Sequence, residues 1–108
     1  MAPEIPLEIW LAAIPWGHAD YPRPVIFMGH RPKDRLVALR VSSNLDLVNE
    51  GDFLISAQHP DFGDTNLDST SYVRAEMIEL APKDFLKRLG VLAGVLREDF
   101  EAWLQGGA

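Results

Sequence analysis

Apolar residues fall at Leu7, Ile9, Leu11 and Ala13, with Glu8 among the positions between them, and Pro15 closes the run. A period of two is the mark of a strand with one face in a core. Trp16-Gly17-His18-Ala19-Asp20-Tyr21-Pro22 reads as a loop from its Gly and Pro content. Arg23 to Gly29 then runs as a strand apolar on both faces, the pattern of a strand inside a sheet. After the polar turn His30-Arg31-Pro32-Lys33-Asp34, Val37, Leu39 and Val41 share a core face. Ala38, Arg40 and Ser42 then point outward, and Ser43 turns in.

The segment Asn44 to Gly51 fits one helical turn or a loop, and Asp52-Phe53-Leu54-Ile55-Ser56 a short strand. Gln58 to Ser71 carries Pro60, Gly63, Asn66 and several Asp residues with little apolar material, and reads as a long exposed loop. Tyr72 to Leu80 is a further strand, in which Val73, Ala75 and Met77 share a face until Met77-Ile78 breaks the alternation at a bulge. Pro82 to Arg88 suggests a short helical turn. Beyond it the period changes: Leu92, Val95, Leu96, Phe100, Trp103 and Leu104 recur at helical spacing, and Gln105-Gly106-Gly107 ends the helix. Its start has no side-chain cap in Ala93-Gly94. The expected fold is mainly β with a C-terminal α-helix: five short strands bent into a small barrel, since a flat sheet of this size would leave long open edges.

The 108 residues suit a single domain spanning 1–108 with one small core. There is no cysteine, which removes disulfides, thiolate metal sites and cysteine nucleophiles together. No apolar run approaches a membrane span, and Met-Ala-Pro-Glu lacks the basic start of a secretory leader, so a cytoplasmic protein is expected. The net charge is −6, unevenly placed: residues 1–45 hold five basic and four acidic side chains, and residues 46–72 six acids and no base. A polyanion would therefore approach one part of the surface only.

His18, His30 and His59 are too far apart to form a known metal-ligand pattern, and neither a Gly-rich phosphate cradle nor a nucleophile elbow is present. What remains is Arg23, pinned between Pro22 and Pro24, together with Ser42 at the end of the strand that follows it. A guanidinium bridges two phosphate oxygens and a hydroxyl donates a third hydrogen bond, which is the chemistry of a phosphodiester site. The bland alternative is a serine that merely forms a turn.

In that order, Pro22-Arg23-Pro24-Val25-Ile26, a strand ending Val41-Ser42-Ser43, then Gly51-Asp52-Phe53, Ser71-Tyr72-Val73-Arg74-Ala75-Glu76 and Lys87-Arg88-Leu89-Gly90-Val91-Leu92 with its helix, the chain resembles the PemK/MazF toxins of type II toxin–antitoxin systems. The likeness covers about residues 7 to 104 and lies in the ordered series rather than in one motif. It implies an SH3-like barrel, a homodimer, a cognate antitoxin partner, no cofactor, and metal-independent cleavage of single-stranded RNA. Arg23 and Ser42 would be the catalytic pair, with Ser43, Arg40, Trp16 and Tyr21 as substrate-binding candidates; the two aromatics could stack on unpaired bases. Two departures stand out: Leu7-Glu8 replaces the Gly-Asp that usually precedes the first strand, and serine replaces the usual threonine at position 42. The same fold also serves toxins that poison a topoisomerase, so a catalytically silent barrel used for protein binding is the second reading.

Overall fold

The structure is a computed structural model and describes residues 2–14 and 22–106. Six strands form among them: β1 (Glu8–Ala12), β2 (Arg23–Arg31), β3 (Arg35–Ser42), β4 (Phe53–Ile55), β5 (Ser71–Leu80) and β6 (Phe85–Val91). One helix follows, α1 (Gly94–Leu104), and short 3-10 turns occupy Leu45–Leu47, Phe62–Thr65 and Pro82–Asp84. The strands make one sheet in the order β4-β5-β3-β2-β1-β6, every pair antiparallel.

Both faces of β2 and β3 carry buried side chains. Ile26, Leu39 and Val41 join Ile9, Val73, Leu96 and Phe100 in a core under α1. Val25, Phe27, Leu36 and Ala38 point the other way, into a second core with Trp10, Leu80 and Phe85. Ala38 is therefore buried rather than outward, while Arg40 on the same face is exposed as expected.

Register shifts between Phe27 and Gly29 and between Leu39 and Val41 bend the sheet. The second lies opposite Arg74 to Glu76 of β5, earlier than the Met77-Ile78 break expected, and leaves Ala75 and Met77 exposed. Bending brings the Phe85 ring to 6.2 Å from both Trp10 and Phe27, edge to face, and so closes the second core.

The sheet does not close into a barrel: among the described residues β4 pairs only with β5, and β6 only with β1. The Phe62–Thr65 turn packs on β6 so closely that a Cβ on Gly90 would strike the carbonyls of Asp64 and Thr65. Helix α1 packs on β4, with Phe53 5.3 Å from Phe100 and 5.6 Å from Trp103. The loop expected to be exposed is thus partly structural, with Thr65 buried and Phe62 and Leu67 packed on the core. The helical turn expected over Pro82 to Arg88 stops at Asp84, and the rest is strand β6.

Leu7 enters β1 with φ of 72°, the left-handed region that suits glycine. Its N–H donates to Phe27 O, its carbonyl accepts from Leu92, and its side chain lies in the core. No described helix is long and apolar enough to cross a membrane.

Candidate functional site

Arg23 is the first residue of β2 and lies half-buried opposite Ala12 of β1. Ser42 is the last residue of β3, half-buried opposite Tyr72 of β5. The β2–β3 ladder pairs Val25 with Arg40, and that register continued by two residues sets Arg23 across from Ser42. Antiparallel pairing thus brings the two sequence-predicted residues to the same end of neighbouring strands. Arg40 stands two residues earlier on β3, on the face that Ser42 shares.

A cleft of about 90 Å³ opens at this end of the sheet. Arg23 and Ser43 line one side, and Asp68, Ser69 and Ser71 of the segment entering β5 line the other. Ser43 is exposed and lies beyond the last residue of β3, so it does not turn into the core: the strand's alternation ends at Ser42. Ser42 is absent from the cleft lining. Its Oγ accepts the Asn44 N–H at 3.2 Å, a serine turn that leaves the hydroxyl proton available to donate. The Ser71 hydroxyl donates to Ser69 O at 2.9 Å.

The loop residues of this cleft were hidden in the sequence inside an acidic, polar run. Asp68 sets a carboxylate on the rim that Arg23 also lines, where an anion would feel both charges. Trp16 and Tyr21, together with His18, lie outside the described residues.

Other charged groups are committed elsewhere. Arg74 donates to Asp52 Oδ1 at 3.3 Å and to Oδ2 at 3.1 Å. This bond holds the Asp52 carboxyl below its ordinary value against the opposing effect of burial, with help from the Asn49 N–H, and it pushes Arg74 up. Arg88 donates to buried Glu8 at 2.6 Å, and Arg97 pairs with Glu101 at 3.4 Å. His59 Nδ1 accepts the Asp61 N–H at 3.0 Å, which assigns the ring proton of its neutral form to Nε2. His30 sits exposed at the end of β2, its ring 5.3 Å from Phe27. No group of three or more His, Asp or Glu side chains that could hold a metal ion occurs among the described residues.

A scan against known protein families finds no match for this sequence, and a search of curated proteins finds none either.

Proposed function

We propose that this chain is a toxin of the PemK/MazF type, an SH3-like module that cleaves single-stranded RNA without a metal and is neutralised by a cognate antitoxin. The observation that supports the reading is the β2–β3 register, which continued by two residues puts Arg23 and Ser42 at adjacent strand ends, with Arg23 lining an open cleft. A phosphodiester seated there accepts a forked pair of hydrogen bonds from Arg23 and one from Ser42.

The RNA 2′-hydroxyl attacks the adjacent phosphorus, the bond from phosphorus to the 5′-oxygen breaks, and the products are a 2′,3′-cyclic phosphate and a 5′-hydroxyl. Charge builds on the non-bridging oxygens along the way, where the two donors act most strongly. Arg23 also assists the proton transfers. Arg40 and Ser43 hold flanking phosphates, and Trp16 and Tyr21 stack on unpaired bases. A homodimer in the cytoplasm completes the proposal.

The backbone at Leu7 fits the same resemblance, although its residue type departs from it. Its backbone φ of 72° lies in the region glycine favours, at the position where the resembling family carries glycine. The acidic rim at Asp68 instead favours the second reading, a barrel of this type that binds protein or poisons a topoisomerase and cuts nothing.

Incubation of the purified protein with a long single-stranded RNA in EDTA separates the two. The expected result is cleavage leaving cyclic phosphate ends, lost in an Arg23→Ala variant of unchanged melting temperature. Intact RNA across varied sequences gives the second reading.

A further inference from the structure

Four large apolar side chains stand exposed on two segments, at Leu45, Leu47, Val48 and Leu54. The first three belong to the segment that follows β3, and Leu54 is the middle residue of β4. Arg74 links the two segments. Its Nη2 donates to Leu47 O at 2.7 Å, and its guanidinium lies 5.4 Å from the centre of the Tyr72 ring. Tyr72 is in turn the cross-strand partner of Leu54. Leu47, 59% exposed, and Leu54, 52% exposed, therefore flank the same arginine.

A 3-10 turn of three residues with none buried has little to hold it in place by itself. Here it is fastened from outside. Besides the Arg74 bond to Leu47 O, Asp52 Oδ2 accepts the Asn49 N–H at 2.8 Å, and the same carboxylate pairs with Arg74. The leucines are thus presented on a fixed backbone, which lowers the entropy lost when a partner covers them. β4 ends the sheet and carries no Lys or Pro to protect its edge.

Charge identifies what fits. Of the six acids between 46 and 72, Asp61 caps α1, Asp64 packs against Gly90 and Asp68 lines the Arg23 cleft, which leaves Asp46, Glu50 and Asp52 for this surface. Asp46 and Glu50 are exposed on the turn segment itself, while the nearby Arg74 is matched by Asp52. RNA is repelled by such a rim. A second copy docked about a two-fold axis would set the same acids against one another. A protein segment with apolar anchors between Lys and Arg residues satisfies both components.

We propose that Leu45, Leu47, Val48 and Leu54 form a docking surface for a basic, apolar-anchored segment of a partner protein. The surface adjoins the proposed site through Tyr72, which pairs with both Leu54 and Ser42, but its four apolar residues do not line the Arg23 cleft and peptide binding is read without RNA, so failure of the RNA reading leaves it standing.

Two synthetic helical peptides test it, each with leucines along one face, one carrying Lys and the other Glu on the opposite face. Amide NMR titration of the full chain locates binding, and fluorescence anisotropy at low and physiological salt measures it. The Lys peptide is expected to bind about tenfold or more tighter than the Glu peptide, with shifts confined to residues 45–54 and 72–74. The Leu47→Ser, Leu54→Ser double variant replaces side chains already in solvent and keeps its melting temperature, and it weakens binding by about tenfold. Asp46→Lys with Glu50→Lys reverses the preference between peptides. Equal binding of both peptides, shifts centred elsewhere, or no binding at all overturns the proposal. A homodimer that Leu54→Ser dissociates also overturns it, by making a second copy the occupant.

Discussion

Asp61 Oδ2 accepts the N–H of Val95 at 2.8 Å and so caps a helix that begins on the far side of four intervening elements. It also lies 3.4 Å from the Leu96 N–H. Ala93, at the N-cap position, has no side-chain oxygen to offer the first turn of α1. Gly94 makes the approach feasible: its φ is +60°, and a Cβ there would collide with the Asp61 carboxylate.

Asp61→Ala is expected to lower stability by about 1–2 kcal/mol, the usual cost of a lost cap, and Asp61→Asn by less because an oxygen remains. Gly94→Ala destabilises on two counts, through its left-handed backbone and by displacing the cap. The double variant should therefore lose less than the sum of the single ones in urea unfolding. Strict additivity would show that the two residues do not act on one another.

That cap marks where the sequence stops being legible. The strands over Leu7 to Ala13, Arg23 to Gly29 and Val37 to Ser42 were readable because apolar positions recur at a spacing of two or run unbroken through a central strand. The helix was readable from Leu92 to Leu104 for the same kind of reason, with a period near four. Its start was not, because the capping side chain lies 34 residues away from Val95. β6 escaped notice because Phe85-Leu86-Lys87-Arg88-Leu89 has no alternation, and an edge strand that among the described residues pairs only with β1 tolerates exposed charge. At the site, the strand period placed Arg23 and Ser42 at matching ends and Arg40 outward. The position of Ser43 depends on where β3 stops and on the docking of residues 67–71, which no local pattern encodes.

Glu8 offers a second test. Its carboxylate is buried, accepts the Trp10 indole N–H at 3.2 Å and is paired with Arg88 across the β1–β6 edge. Glu8→Ala leaves the indole N–H in the core with no acceptor and should cost about 1–3 kcal/mol. Glu8→Gln keeps the acceptor and should cost less, and Arg88→Met, removing a half-exposed partner, less again than Glu8→Ala. Equal losses for Ala and Gln would mean that the charge pair, not the indole bond, holds this end of the sheet.

Acid should act on Asp52. Bonded to Arg74 and to the Asn49 N–H, its folded carboxyl sits below the value of about 3.9 that an unfolded aspartate has. The folded state thus favours the charged form, and the stability it contributes is present at neutral pH and down to about pH 4. That contribution disappears as pH falls through the lower folded value. Urea midpoints measured from pH 7 to pH 3 should show wild type above Asp52→Asn by a constant margin down to about pH 4. The margin should then shrink. A margin unchanged at the lowest pH would remove the ion pair as its source.

The two serines beside Arg23 separate the chemistry most finely, given the RNA reading. Ser42 ends the strand whose register, continued by two residues, meets Arg23, whereas Ser43 lines the cleft with it. If Ser42 donates to a phosphate oxygen while accepting the Asn44 N–H, Ser42→Ala removes one donor from the charge that builds in the transition state. The expected loss is about 100-fold in kcat with KM little changed. Ser42→Thr keeps the hydroxyl and should restore most of the rate. Ser43→Ala, which removes only a flanking contact, should raise KM by a few-fold and leave kcat nearly intact. A larger kcat loss for Ser43→Ala would transfer the donor role to the serine that faces the cleft. Arg23→Lys keeps the charge but not the fork, so it should fall between wild type and Arg23→Ala, and activity equal to wild type would rule out a bidentate grip on the phosphate.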